Sequence, residues 1–191
     1  MSIQNDQRCN WAESHYLLKT YHDTEWGTPV HNDRLHFEFI TLDAFQAGLN
    51  WLTILKKRER FRQAFDHFDY YKIAKYSSKK IEKLMHDEGI IRNKLKIEAT
   101  INNAVRFIEV IRDFGSFDKY IWNFVNEKTI INKWNNFKEI PAKTKESDRM
   151  SKDLMKRGFR FVGSTICYSY MQAAGMVNDH EIMCFRYSQI Q

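Results

Sequence analysis

Apolar positions recur at three- and four-residue intervals along almost the whole chain, a spacing that predicts a helical protein. Leu17, Leu18, Tyr21 and Trp26 carry it between residues 14 and 26, and Gly27 and Pro29 stop that segment. Asn32 or Asp33 caps a second helix whose buried stripe is Leu35, Phe39, Leu42 and Phe45. A third helix, over residues 52–65, presents a basic outer face of Lys56, Lys57, Arg58, Arg60 and Arg62. Asp69 and Ser77 or Ser78 introduce a short turn over 70–75 and a helix through Ile81, Leu84 and Met85. After a break at Gly89, the longest helix covers 93–114, with Leu95, Ile97, Ile101, Val105, Ile108 and Ile111 turned inward. Ser116 caps a helix through Tyr120, Trp122 and Phe124. Ser147 starts one through Leu154 that ends at Gly158, and Ser164 starts the last, through Tyr168 and Met171 to Gly175. Residues 126–144 have no strong period and read as a long irregular connection. Residues 1–8 are polar and expected to fray. No strand pair stands out, so the expected class is all-α.

Composition narrows this picture a little. The 191 residues suit one compact domain, or two small lobes sharing a cleft. An aromatic share of 15% supplies a packed interior, while two prolines and seven glycines are too few for an all-β chain of tight turns. The net charge of +6 suits an anionic partner without identifying it as nucleic acid. Three cysteines cannot all pair, no secretory leader precedes them, and no apolar run approaches membrane-spanning length. A reducing cytoplasm is the expected setting.

Candidate chemistry concentrates in four places. In the run from Leu42 to Trp51, Asp43 and Gln46 stand three apart and share a helical face. Gly48 then ends the helix in a left-handed turn, leaving Leu49 and Trp51 to project from the corner. Two polar groups beside an aromatic wall fit a pocket that hydrogen-bonds one edge of a flat ligand; a plain helix cap at Asp43 fits equally well. Cys9 and His22 near one end, with His180 and Cys184 four apart near the other, match a four-coordinate structural zinc site without a position for catalytic water. Two buried cysteines and two satisfied histidines are the alternative. The segment 84–94 reads as two helices joined by a glycine turn, with amides facing a phosphate and Arg92, Lys94 and Lys96 nearby, or as an ordinary corner with solvated charges. The stretch 156–165 interleaves cations and aromatics ahead of a helix start, which suits a phosphate or plain solvent. Cys167 falls on an apolar helix face and reads as inert core. No nucleophile elbow, phosphate loop or zinc-hydrolase motif is present.

Taken together, Cys9-Asn10-Trp11, the run Tyr21 to Gly27, the run Gln46 to Arg58, the run Gly89 to Lys94, the run Lys156 to Ser169 and the run Val177 to His180 resemble the DNA-3-methyladenine glycosylase I family over essentially the full length. The resemblance implies a helix-hairpin-helix DNA glycosylase fold, all-α, forming a single domain over 1–191. Two helical lobes would enclose a cleft, and one zinc ion on Cys9, His22, His180 and Cys184 would clip the termini together. It implies base-excision repair by a monofunctional glycosylase, without lyase activity, that flips alkylated purines, chiefly 3-methyladenine, out of double-stranded DNA. Asp43 takes the catalytic place; Tyr21, Trp51, Trp11 and Gln46 line the base pocket. Leu49 is the wedge after Gly48, and Gly89, Ile91, Arg92 and Lys94 hold the DNA backbone. The setting implied is the bacterial cytoplasm at the nucleoid, the working form a monomer. Two positions depart from the family pattern: Asp43 stands where a glutamate is usual, and Leu18 where a tyrosine is common. Phe45 is a candidate to replace that aromatic surface. The competing reading is a non-catalytic, zinc-containing protein that recognises DNA damage.

Overall fold

In the computed structural model, which describes residues 7–190, nine α-helices carry nearly all of the regular structure of the described chain. Helix α1 (Tyr16–Thr24) follows a separate 3₁₀ turn at Asn10–Ser14. The His15 ring accepts the Leu17 N–H and starts α1 two residues later than expected. Of the segment expected to fray, residues 1–6 lie outside the described residues; Arg8 is held by Asp23 at 2.9 Å.

Helix α2 (Asp33–Gln46), capped by Asn32, is the centre of the molecule. From His36 to Phe45 every residue is buried, which a helix tolerates only when neighbours surround it. Helices α3 (Trp51–Ala64), α6 (Lys94–Phe114), α7 (Phe117–Trp122) and α9 (Ser164–Ala173) pack against it. Helices α4 (Tyr70–Ile73) and α5 (Ser78–Met85) are capped by Asp69 and Ser77 as expected, and both pack on α6. The expected basic outer face of α3 is interrupted. Arg58 is buried between Glu38, at 2.6 Å, and Glu25, at 2.7 Å, tying the end of α1 to α2 and α3.

The inward face of α6 also differs from expectation. Leu95 is 68% exposed and Val105 lies at the surface, whereas Lys96, Thr100 and Asn103 turn inward beside Ile97, Ala104 and Phe107. Each buried polar group there has a partner, which is the condition for burying it. The Lys96 ammonium donates to the Phe45 and Ala47 carbonyls at 2.8 and 2.7 Å, closing the carbonyl end of α2. Thr100 donates to the Lys96 carbonyl, and Asn103 clamps the backbone of Arg160 through both side-chain atoms. Leu35, also expected inside, is partly exposed.

Helix α8 (Lys145–Lys156) begins two residues ahead of the expected start, because Thr144 and Ser147 form a reciprocal capping box. The segment 126–144 is not structureless. Ile130–Ile131 forms a two-residue strand, β1, paired in parallel with β2 (Val177–Asn178), in register Ile130 to Val177, and Phe137–Glu139 makes a 3₁₀ turn. This short ladder stitches the segment to the carboxyl-terminal region. The return after α9 is equally tight: a side chain at Gly175, whose φ is +67°, would lie 2.2–2.4 Å from the Thr28–Pro29 backbone. The apolar interior forms one large cluster from α2 through α9 and a small one where the chain ends meet, built on Cys9, Tyr21, Trp26 and Cys184. Trp51 packs against both.

Candidate active site and metal cluster

A cavity of about 120 Å³ opens between these two clusters. Its inner wall is Tyr21 from α1 and Trp51 from the first turn of α3, rings 5.2 Å apart. Helix α2 supplies Asp43 and Gln46 to the same cavity, so the pair expected to share a face does so. Gly48, at φ +81°, makes the left-handed corner, and Asn50 caps α3 by accepting the Thr53 N–H at 2.9 Å. Those two local choices set Trp51 toward the cavity and leave Leu49 at the surface, 42% exposed.

Asp43 is no helix cap. The residue is 98% buried, and its Oδ2 has no hydrogen-bond partner among the described residues. Burial alone pushes its pKa well above the usual carboxylate range, since no cation lies close enough to offset it. Burial, followed by the nearby Asp43 charge, pushes Tyr21 upward as well and keeps that phenol neutral. The indole Nε1 groups of Trp11 and Trp51, both on cavity-lining side chains, likewise lack partners among the described residues. Each unsatisfied buried group costs about 1–3 kcal/mol. Three of them on the residues of one cavity mark a place built for a ligand that brings its own donors and acceptors.

Trp26, Phe137, Ser169 and Gln172 complete the lining and were not among the expected site residues. Trp26, in the turn just after α1, packs edge-on against Trp11 at 5.0 Å. Phe137 lies in the segment without period, and no local signal points to it. Gln172 is fixed by Asp179, which accepts from Gln172, Tyr168, Trp134 and Asn132 at 2.7–2.8 Å. Leu18 is buried and not part of the lining. Phe45 does not supply the aromatic surface: it is wholly buried against Phe61 and Phe65, on the core side of α2.

Next to the slot, Cys9, His22, His180 and Cys184 are all buried, with donor atoms within 4.8 Å of one another. The spacings are His22 Nε2 to His180 Nδ1 3.2 Å, Cys184 Sγ to these two atoms 3.4 and 3.5 Å, and Cys9 Sγ to His180 Nδ1 3.7 Å. Bond lengths of about 2.0–2.3 Å to a tetrahedral ion imply edges of roughly 3.3–3.8 Å; these four contacts lie close to that range, so the group could hold a four-coordinate metal. The outer contacts select the right ring atoms: His22 Nδ1 faces Asp23 at 2.8 Å and His180 Nε2 faces the Trp26 carbonyl at 3.1 Å. The Cys9 contact, with help from both imidazoles, pushes the Cys184 thiol down; its counterpart pushes Cys9 up. Gly27, at φ +76°, lets the chain pass the His180 ring, where an added side chain would sit 3.1 Å from Nε2.

The remaining expected residues sit apart from this centre. Residues 86–93 join α5 to α6, with Arg92 and Lys94 exposed and Ile91 half-buried. The Gly89 N–H donates to Asp87 at 2.9 Å, and a side chain at Gly89 would collide with Arg60. Cys167 is buried, donates to the Val162 carbonyl, and burial pushes its thiol up to about 12, as inert core requires.

The fold and the cavity together define a helical protein with an aromatic-walled slot, polar along one side, next to a buried Cys/His group that could hold a metal ion. The chain belongs to the methyladenine glycosylase family, whose pattern matches residues 11–187. It is 45% identical to DNA-3-methyladenine glycosylase 1 of Escherichia coli (strain K12) over 95% of this chain and 97% of that protein. Among solved structures it superposes on a crystal structure of 3-methyladenine DNA glycosylase I with a TM-score of 0.91, at 45% identity, covering 94% of this chain and 98% of the other. A Staphylococcus aureus 3-methyladenine DNA glycosylase I, solved to explain 3-methyladenine recognition, matches with a TM-score of 0.90 at 31% identity, covering 94% of this chain and 96% of that one.

The buried Asp43 has a stability signature. Its folded-state pKa lies above its unfolded value of about 3.9, so folding disfavours the ionised form, and stability falls as pH rises from that value toward the folded pKa. Asparagine carries no such penalty. The Tm of Asp43→Asn minus that of wild type should therefore widen between about pH 4 and pH 8, each kcal/mol appearing as about 2–4 °C. Thermal melts across that range check it; a pH-independent difference would contradict it.

Proposed function

We infer that this protein is a monofunctional DNA glycosylase of base-excision repair, hydrolysing the N-glycosidic bond of alkylated purines, chiefly 3-methyladenine. One observation carries the reading beyond family membership: a buried aspartate, its Oδ2 without a partner among the described residues, at the edge of an aromatic slot. Adenine alkylated at N3 is cationic and already holds its sugar weakly, so the protein needs mainly to select and orient it.

The target base must leave the duplex before its bond can be reached, at an unstacking cost of a few kcal/mol. Leu49, exposed at the corner after Gly48, is placed to fill the gap left in the stack. In the slot, Tyr21 and Trp51 offer π faces to the cation, about 0.5–2 kcal/mol each. The cation supplies the charge that Asp43 lacks, so carboxylate and base become partners that neutral adenine cannot be. Gln46 adds an amide to the same edge, and Trp11 closes the side toward the metal cluster. Water accepts the sugar, and among the described residues no lysine lines the slot to form a Schiff base.

The helices on either side of residues 86–93 serve as the helix-hairpin-helix that grips the DNA backbone. With the Gly89 amide committed to Asp87, the exposed start of α6, with Ile91, Arg92 and Lys94, is the phosphate-facing part. Gly89 acts by admitting Arg60. Zinc is the ion for the thiolate–imidazole cluster, in a closed structural site. It would cross-link the chain ends and hold His22, and hence the neighbouring Tyr21, in place.

Two outcomes are expected. Incubated with alkylated DNA, the wild type releases free 3-methyladenine, whereas Asp43→Ala loses most of that release, by a factor of about 100 or more, and binds undamaged DNA nearly as before. Binding without release by the wild type would favour a damage-recognition protein instead. Removing the metal, or Cys184→Ser, lowers Tm by more than about 5 °C, since metal binding here adds to folding. A metal-free protein that melts with the wild type would remove the zinc assignment.

A further inference from the structure

We propose that Phe137 is the outer aromatic wall of the base slot and a determinant of which purines it holds, an inference that rests on the function proposed above. The inner wall needs no addition, because Tyr21 and Trp51 are already in place. The outer side has Trp11, whose ring lies 6.5 Å from that of Phe137 at an angle of 50°. Phe137 itself is 48% exposed at the mouth of the cavity, an apolar ring left in water where a flat ligand would cover it. Neither Leu18 nor Phe45 reaches the slot, so the aromatic surface sought in the first helix and in α2 comes from a different part of the chain.

The placement of this ring is built, not incidental. The Phe137 N–H donates to Glu181 Oε1 at 3.0 Å, and Trp134 pairs with Glu181 in an isolated parallel bridge. The Trp134 indole donates to Asp179 at 2.8 Å, the carboxylate that also fixes the cavity residue Gln172. The 3₁₀ turn carrying Phe137 is closed by Asn136, which accepts the Lys138 N–H at 3.0 Å and donates to Glu139. Asp179 and Glu181 flank His180, so the anchors of the ring belong to the same loop as one candidate metal ligand. A base stacked on an anchored aromatic gains affinity through its π face, and a cationic base gains more.

The test compares wild type with Phe137→Ala, Phe137→Leu and Phe137→Tyr. Tryptophan-fluorescence titration with free 3-methyladenine is run beside excision kinetics on a duplex containing one 3-methyladenine. Removing the ring, in the Ala and Leu variants, should weaken free-base binding and raise KM by roughly tenfold, with kcat within about twofold of wild type. The Tyr variant should restore wild-type values, and melting temperatures should stay level because the ring is half in solvent. Ala and Leu variants that bind and excise as the wild type does would overturn the assignment. A wild type that releases no base at all would overturn the function itself and this assignment with it.

Discussion

A carboxyl group kept out of water with nothing to neutralise it is the interaction on which the rest of the structure depends. Asp43 occupies the fully buried stretch of α2, with α3 and α9 packed on that helix and Tyr21 of α1 lining the same cavity. Holding an ionised acid there costs free energy, which the packing of the surrounding helices must offset. The Arg58 bridge to Glu25 and Glu38 fastens α1 and α3 to α2, which keeps Tyr21 against Trp51. Lys96 closes the carbonyl end of α2 just before the Gly48 corner, so the position of the slot is tied to α6 and to the hairpin that precedes it. In the function proposed above, a cationic purine brings to Asp43 the positive charge that its surroundings lack.

The candidate metal cluster and the slot are parts of one assembly. His22 follows Tyr21 directly, and Trp26 packs on both Trp11 and His180. Asp179 and Glu181, on either side of His180, anchor Gln172 and the turn bearing Phe137. The two chain ends therefore do not merely meet. The amino-terminal segment delivers three of the five aromatic residues of the cavity, Trp11, Tyr21 and Trp26, α3 delivers Trp51, and the segment 126–144, joined to the carboxyl-terminal loop through β1 and its bridge, delivers Phe137.

Helix positions were legible in the sequence because caps and spacing are local: Asn32, Asp69, Ser77 and Ser116 all act where the pattern placed them. The Asp43–Gln46 face and the turn at Gly48 were legible for the same reason. What failed was any inference that equated polar with outside. Lys96, Asn103 and Arg58 are buried because a distant carbonyl or carboxylate meets each of them, information that no short window contains. Phe137 escaped notice because its place is set by Glu181, 44 residues further on. Grouping Cys9 and His22 with His180 and Cys184 was open on spacing alone; the fold brings them together.

Direct observation of Asp43 ionisation bears most closely on this account. With side-chain carboxyl carbons labelled, and Asp43→Asn used to assign the signal, carbon NMR follows that one group through a pH titration of the free, metal-loaded protein. The account predicts a carboxyl that is still neutral well above the usual aspartate range, because burial is uncompensated there. A midpoint near the ordinary value of about 3.9 would mean that the charge is already balanced without a substrate, and the proposed basis of selection would fall.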